Sequence, residues 1–238
     1  MAGTGIKRRI LIVGGSRGIG AEIVRSFARD GDEVVFTYGS SEASALALAS
    51  ETGATARKAD AADRNAMAAL IGEDGPFHIF VYNAAVLIYS SAFDVEAADA
   101  DRLFDVNVRG AYHGSVEAAR SMPDGGRIIL IGSTNGDCVP FPGIAAYAMS
   151  KASLHGLARG LARELGHRNI TVNVVQPGPT DTEMNPADAP HAAQLHGAMA
   201  IKRHGTAPEI ASLVSYLAGP QAGAIPSMVA SASDTHPP

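Results

Sequence analysis

The sequence predicts a doubly wound α/β domain, a mainly parallel sheet of about seven strands with helices on both faces. Three observations predict it. Short apolar runs rich in Ile, Leu and Val, among them Ile10-Leu11-Ile12-Val13 and residues 127–131, have the length and composition of buried strands. These runs alternate with stretches of helical apolar spacing, the order expected of successive βαβ units. The first run passes directly into a glycine-rich turn, Gly14-Gly15-Ser16-Arg17-Gly18-Ile19-Gly20, that opens a helix.

The chain has 238 residues, enough for one domain, 1–238, with a substantial core. Hydrophobic residues make up 46% and charged residues 18%, ordinary values for a globular enzyme. A net charge of -5 argues against a nucleic-acid polymer as partner. No apolar stretch reaches about 18 residues, so no membrane span is expected. The N-terminal MAGTGIKRRI lacks the apolar stretch of a signal peptide. One cysteine, Cys138, rules out an internal disulfide and fits a reducing compartment, so a soluble cytoplasmic protein is expected. The histidines are scattered, and no metal site is expected.

After the glycine turn, Ile19, Ile23 and Phe27, with Val24 beside them, form an apolar stripe that predicts a helix stopped by Gly31. EVVFTY at 33–38 is the second strand. Within this strand–turn–helix–strand unit the glycines permit a tight turn, close backbone approach to a pyrophosphate, and close helix–sheet packing. The helix N-terminus adds free N–H groups and a positive dipole end. Residues 42–51 form an Ala/Leu helix broken at Gly53, and ATARKA leads to Asp60, a candidate N-cap for a helix at Arg64-Asn65. FHIFVY at 77–82 is the fourth strand, ending at Asn83-Ala84-Ala85. Residues 96–121 form a long helical stretch holding Asn107, a mid-helix residue that is mildly unfavourable without a use. Met122-Pro123-Asp124-Gly125-Gly126 turns into the strand at 127–131, which breaks at Gly132-Ser133 and crosses a Gly/Pro-marked loop. A helix from about Ala145 follows, closed by Gly166 and Asn169, and ITVNVV at 170–175 is the sixth strand. Pro177-Gly178-Pro179-Thr180-Asp181-Thr182 comes next, then a polar, Pro-broken stretch at 183–205 and a last helix at 207–218.

Tyr147 and Lys151 are four apart, so they share one face of their helix. A free phenol has a pKa of about 10, and a neighbouring cation can draw it down by about 1–3 units. Ser133, arriving from the strand end, can offer a hydrogen bond to a carbonyl oxygen.

Taken together, G-x-x-x-G-x-G near the N-terminus, Asn107 on a middle helix, Ser133 at a strand end and Y-x-x-x-K at 147–151 resemble the short-chain dehydrogenase/reductases. The resemblance runs from about Ile6 to Pro220. It implies a Rossmann-type fold and hydride transfer between a nicotinamide and a carbonyl or alcohol carbon; the apolar wall positions of 137–144 and 183–200 add the expectation of a small, hydrophobic ketone or aldehyde. In that resemblance Tyr147 is the general acid, Lys151 lowers its pKa and holds the nicotinamide ribose, Ser133 orients the carbonyl oxygen, and Asn107 holds a relay water. The resemblance puts Gly14, Ser16, Arg17, Gly18, Ile19 and Gly20 at the cofactor phosphates, and Tyr38, Ser40 and Ser41 by the adenosine ribose. Asp60 and Ala61 go to the adenine edge and Asn83, Ala84 and Ala85 under the ribose. Pro177, Gly178 and Thr180 meet the nicotinamide, and Thr182 meets a phosphate. The second strand ends Thr37-Tyr38-Gly39-Ser40-Ser41 with no acid before Glu42, and Arg17 lies in the adjoining turn, so NADP(H) is expected over NAD(H).

Residues 183–205 correspond to a substrate lid. Val139, Phe141 and Met184 are expected as apolar walls beside Ser133 and Tyr147, with Leu195 and Met199 as further candidates. The family's serine-to-tyrosine spacing, counted back from Tyr147, falls on Thr134, but the strand register favours Ser133 because a one-residue slip would turn the side chain to the other face. The usual N-N-A-G reads Tyr82-Asn83-Ala84-Ala85 here. The tail, 221–238, departs from the family: Pro226 and missing glycines argue against a central strand, and the final Pro-Pro reads as a frayed end. A homodimer or homotetramer is implied, through the helices bearing Asn107 and Tyr147. Phrases such as VGGSRGIG, ETGATA and MPDGGRIILIGSTNGD are similar to a bacterial group of cyclic-di-GMP-binding biofilm dispersal mediators. That similarity implies an alternative role as a cyclic-di-GMP-binding signalling protein.

Overall fold

The apolar runs assemble into one parallel sheet. A computed structural model describes residues 7–231. The strands are β1 (Arg9–Val13), β2 (Glu33–Tyr38), β3 (Thr55–Lys58), β4 (Ile79–Tyr82), β5 (Arg127–Ile131) and β6 (Thr171–Gln176). With the last strand, Val229–Ser231, they form a seven-stranded sheet in which every pairing is parallel, with β3-β2-β1-β4-β5-β6 in that order and the last strand beside β6. Strands buried on both faces cannot alternate polar and apolar residues, which is why they read as continuous apolar runs.

Helices α1 (Gly18–Arg29), α2 (Glu42–Thr52), α3 (Arg64–Asp74), α4 (Ala97–Phe104), α5 (Ala111–Ser121) and α6 (Ala145–Leu165) connect the strands. The stripe on α1 is buried through Ile23, Val24 and Phe27 in a core that also takes Ile10, Phe36 and Val214. Phe80, Leu130 and Leu154 belong to the core on the opposite face. Gly53 ends α2 in the left-handed conformation, at φ 74°. Asp63, not Asp60, caps α3, its carboxylate accepting from the N–H groups of Asn65 and Ala66.

Three expectations are corrected. The fourth strand begins at Ile79 rather than 77. The helical stretch expected over 96–121 is interrupted at Asp105–Gly110 by a π-helical turn that contains Asn107; such turns insert an extra residue into the ladder and recur at functional sites. The tail does contribute a strand. Val229–Ser231 pairs with β6 from Val174 to Gln176. Pro226 lies before this strand, where its carbonyl accepts the Val172 N–H at 3.0 Å. An edge strand pairs on one side only, so a proline at its approach costs no ladder bond. Asn173 fastens it, donating to the Ile225 carbonyl (3.2 Å) and accepting from the Met228 N–H (2.8 Å). The Pro-Pro end lies outside the described residues.

After β6, β7 (Thr180–Asp181) pairs in parallel with β8 (Gly205–Thr206). This two-residue ribbon holds together the two ends of the segment expected as a lid, which carries the short helix α7 (Ala192–Gly197). Helix α8 (Ala207–Ala218) leaves β8 through a capping box between Thr206 and Glu209. The Arg203 guanidinium, with that cap, pulls the Glu209 carboxyl down to about 2.

Candidate active site

The strand order reverses at β1 and β4, and the crevice beyond their carboxyl ends is where such sheets bind ligands. A cavity of about 590 Å³ opens there. Its wall includes Gly14, Ser16, Arg17, Gly18 and Ile19 of the turn, Tyr38, Ser40 and Ser41 after β2, and Asp60 and Ala61 after β3. It continues along Asn83, Ala84 and Ala85, Ser133, Tyr147 and Lys151, then Pro177, Gly178, Thr180 and Thr182. Phe141, Met184, Leu195 and Met199 complete the far end.

Two glycines of the turn are required by space. Gly14 has φ 79°, and a Cβ there would come within 2.7 Å of Ala84 Cα. A Cβ on Gly20 would meet the Gly14 carbonyl at 2.2 Å. Gly20 therefore supports the turn from beneath and is not part of the cavity wall, which corrects its expected place at the phosphates. Asn83 fixes the turn from the β4 side, donating from Nδ2 to the Gly14 carbonyl at 2.7 Å. No side chain caps the start of α1, where Arg17 is extended and exposed. Glu42, the first acid after β2, lies outside the wall.

Asp60 is held by a residue the sequence reading missed. Arg102 of α4 donates both terminal nitrogens to its carboxylate at 2.9 Å, and the Ala62 N–H adds a third bond at 3.0 Å. The guanidinium is the main reason the Asp60 pKa lies below the usual carboxylate range. Arg102 lines the cavity, as do Val86, Leu87, Tyr89 and Pro140, none of which the sequence singled out. The Arg102–Asp60 contact joins α4 to the loop after β3 across 42 residues of sequence, which no local spacing encodes.

Asn107 is buried and is not part of the wall. Its side-chain oxygen accepts from the Val86 N–H (2.8 Å), and its nitrogen donates to the Val86 carbonyl (2.9 Å) and to Ser150 Oγ (3.0 Å). The amide thus ties the loop after β4 to helix α6.

Ser133 follows β5 and is nearly buried at the cavity. Its hydroxyl accepts from the Asn135 N–H at 3.2 Å and lies near enough to the Tyr147 phenol to favour its ionised form. Thr134 also borders the cavity, and its backbone is committed, the N–H donating to the Pro177 carbonyl at 3.0 Å. Val139 departs from expectation: it is 49% exposed and is not among the residues that line the cavity. A Pro-flanked loop carries no periodicity from which its facing could be read.

Lys151 is 3% exposed, its Nζ donating to the Ile131 carbonyl at 2.8 Å and lying 5.7 Å from the centre of the Tyr147 ring. The sequence reading had this ammonium draw the Tyr147 pKa down. The structure corrects that. Burial pushes the Tyr147 phenol up to about 12, the Ser133 hydroxyl opposing it and the Tyr89 phenol adding to it. The ring keeps some surface open to the cavity, where water softens this penalty. Burial also lowers Lys151 to about 8. A folded pKa of about 8 against 10.5 for the free side chain means the unfolded chain holds more protons between those values. Lys151 therefore makes stability rise with pH across that window. Thermal unfolding followed from pH 7 to 10.5 should show this slope, and Lys151→Met should flatten it.

Among the described residues, no three His, Cys, Asp or Glu side chains are grouped to hold a metal, and no helix is long and apolar enough to cross a membrane.

The family model described as enoyl-(acyl carrier protein) reductase matches residues 13–230. The chain is 55% identical over 215 residues to the cyclic-di-GMP-binding biofilm dispersal mediator protein of Escherichia coli K12, covering 90% of this chain and 91% of that protein. A crystal structure of BdcA in complex with NADPH superposes with a TM-score of 0.93 at 52% identity, over 96% of this chain and 95% of that one. A short-chain dehydrogenase from Burkholderia cenocepacia J2315 in complex with NADP gives 0.89 at 42% identity, over 94% and 95% of the two chains. Family match, fold and the grouping of Ser133, Tyr147 and Lys151 agree: the chain belongs to the short-chain dehydrogenase/reductase family of oxidoreductases.

Proposed function

We propose that the protein is an NADP(H)-dependent reductase of a small, hydrophobic ketone or aldehyde. The observation that carries this is that Ser133, Tyr147 and Lys151 line one cavity that runs on to the glycine turn. The turn fits a dinucleotide: Gly14 brings backbone against Ala84 with no room for a Cβ, and the uncapped start of α1 offers N–H groups to an anion. Gly14, Ser16, Gly18 and Ile19 would hold the phosphates, Arg17 with Ser40 and Ser41 the 2′-phosphate, and Asp60 and Ala61 the adenine edge. Asn83, Ala84 and Ala85 would lie under the ribose, and Pro177, Gly178, Thr180 and Thr182 along the nicotinamide half. When bound, the nicotinamide supplies the hydride.

The chain's own residues do the rest. Ser133 donates to the substrate carbonyl oxygen and orients it. Tyr147, protonated at neutral pH as any phenol is and kept so by burial, donates its proton to the oxygen as charge builds there. Lys151, charged below about 8, stabilises the phenolate that remains. Asn107 holds the loop and helix around the proton path through Val86 and Ser150. Phe141 and Met184 exclude water and favour an apolar substituent. A panel of ketones and aldehydes scored by NADPH oxidation tests the reading; no turnover of any of them would count against it.

Cofactor choice gives a second measurement. NADPH should bind more tightly than NADH, since no acid lines the cavity after β2 and Arg17 does. In fluorescence titrations Arg17→Ala should weaken NADPH more than NADH. Equal loss would remove Arg17 from 2′-phosphate recognition.

Assembly as a homodimer or homotetramer is part of the same proposal. It is supported by the small residues of α5 and α6 and by Tyr112 and Met149, which stand 50% and 59% exposed on them. Light scattering at micromolar concentration should give at least a dimer, and a monomer would refute it. The name of the Escherichia coli relative favours a second reading, in which the same cleft takes cyclic di-GMP. Titration with cyclic di-GMP in competition with NADPH separates the two.

A further inference from the structure

Ser133 and Tyr147 stand on different elements, so their hydroxyls meet only if those elements keep a fixed separation. Three polar side chains outside the cavity wall join them. Gln176, fully buried at the end of β6, donates from Nε2 to Asp137 Oδ2 at 2.6 Å. Its Oε1 lies 2.6 Å from His155 Nε2, and His155 Nδ1 lies 3.5 Å from Asp137 Oδ1. Only the amide nitrogen can donate to a carboxylate, so the amide oxygen faces His155, whose Nε2 must carry the hydrogen. His155 is one turn beyond Lys151 on the helix that bears Tyr147.

Asp137 closes the turn that begins at Ser133. The Ser133 carbonyl accepts the Gly136 N–H at 2.9 Å and the Thr134 carbonyl accepts the Asp137 N–H at 3.0 Å, so residues 133–137 form one hydrogen-bonded turn. Gly136 presses this turn onto α6: a Cβ there would lie 3.1 Å from the Ala152 nitrogen and 3.2 Å from Gln176 Oε1. The same β6 end runs into Pro177, whose carbonyl accepts the Thr134 N–H at 3.0 Å. Turn, helix and strand are thus tied at one buried amide.

We propose that Asp137, Gln176 and His155 are positioning residues that set the separation of the Ser133 and Tyr147 hydroxyls. They touch no reacting atom; they hold the two elements that carry those hydroxyls. The kinetic side of this inference rests on the reductase reading, whereas its geometric side does not.

The test uses the full chain labelled with tyrosine carrying ¹³C at the ring Cζ, with the Tyr147 resonance assigned by its loss in Tyr147→Phe. Ser133→Ala defines the resonance of a Tyr147 phenol without its serine partner. His155→Leu, and Asp137→Ala at a half-exposed position that should leave folding intact, are expected to move the resonance toward that value. His155→Gln, which restores an amide N–H toward Gln176, should return it. With a carbonyl that the NADPH panel finds to be reduced, His155→Leu should lower kcat on the order of 10–100-fold, the size of effect a displacement of about 1 Å can have. The KM for NADPH should stay within about twofold, since the cofactor wall is untouched. A Tyr147 resonance unmoved by both His155→Leu and Asp137→Ala overturns the proposal. If no carbonyl is reduced, the reductase reading fails while the resonance still decides the role of the three residues.

Discussion

Tyr147→Phe is expected to remove nearly all carbonyl reduction while leaving NADPH affinity within a few-fold. The ring packs at the cavity wall and Phe keeps that packing; only the phenolic proton is lost. That proton is present at neutral pH at a phenol's ordinary pKa of about 10, and burial, which raises the Tyr147 phenol to about 12, keeps it there. A positioned acid contributes about 10²–10⁴ in rate, so the loss should appear in kcat with little change in cofactor KM. The pH profile should follow Lys151. Reduction should decline above about 8, where Lys151 gives up the charge that stabilises the phenolate left behind. More than about a tenth of wild-type kcat remaining in Tyr147→Phe would assign the proton to another donor.

Ser133→Ala should cost on the order of 10²–10³ in kcat, as when one donor to a developing oxyanion is removed. Two functions disappear together: the donor to the carbonyl oxygen, and the hydroxyl that opposes the rise in the Tyr147 pKa. Thr134→Ala is the internal control. Thr134 borders the same cavity, yet its recorded anchors are backbone groups, to Pro177 on one side and to Asp137 and Cys138 on the other, which alanine keeps. Parallel kcat measurements on the two variants decide the register: a larger loss at Thr134 would make it the reacting hydroxyl.

The fold was legible because a doubly wound sheet writes itself into sequence. Strands such as Ile10–Val13 are apolar throughout, and breaks such as Gly31 and Gly53 take the left-handed conformation that other residues resist. The edge strand at Val229–Ser231 was not legible. A three-residue strand has too few positions for a pattern, and its hold comes from Asn173, more than fifty residues earlier. The π-helical turn was hidden too, because an extra residue in the ladder leaves composition unchanged. At the site, residues bound to a local motif were readable: Gly14 in its turn, and Tyr147 and Lys151 one helical turn apart. The Arg102 clamp on Asp60 and the Asp137–Gln176–His155 contacts were not, because each joins elements whose meeting is decided by tertiary packing. The Tyr147 pKa was misread for the same reason. Sequence shows that a lysine is near, but not that its ammonium is turned to the Ile131 carbonyl or how deeply both groups are buried.

The ribbon of Thr180–Asp181 with Gly205–Thr206 bears on how such a protein can change over generations. Because the ribbon already brings the two ends of the intervening segment side by side, lengthening that segment costs only the slow logarithmic growth of loop closure, about 0.6 kcal/mol per doubling. Met184, Leu195 and Met199 all lie within it and face the cavity. New substrate shapes can therefore be tried by inserting or exchanging residues between the ribbon strands, without disturbing the sheet that carries the reacting groups. The chemistry is inherited and the clientele is negotiable, and the seam between them is two residues wide.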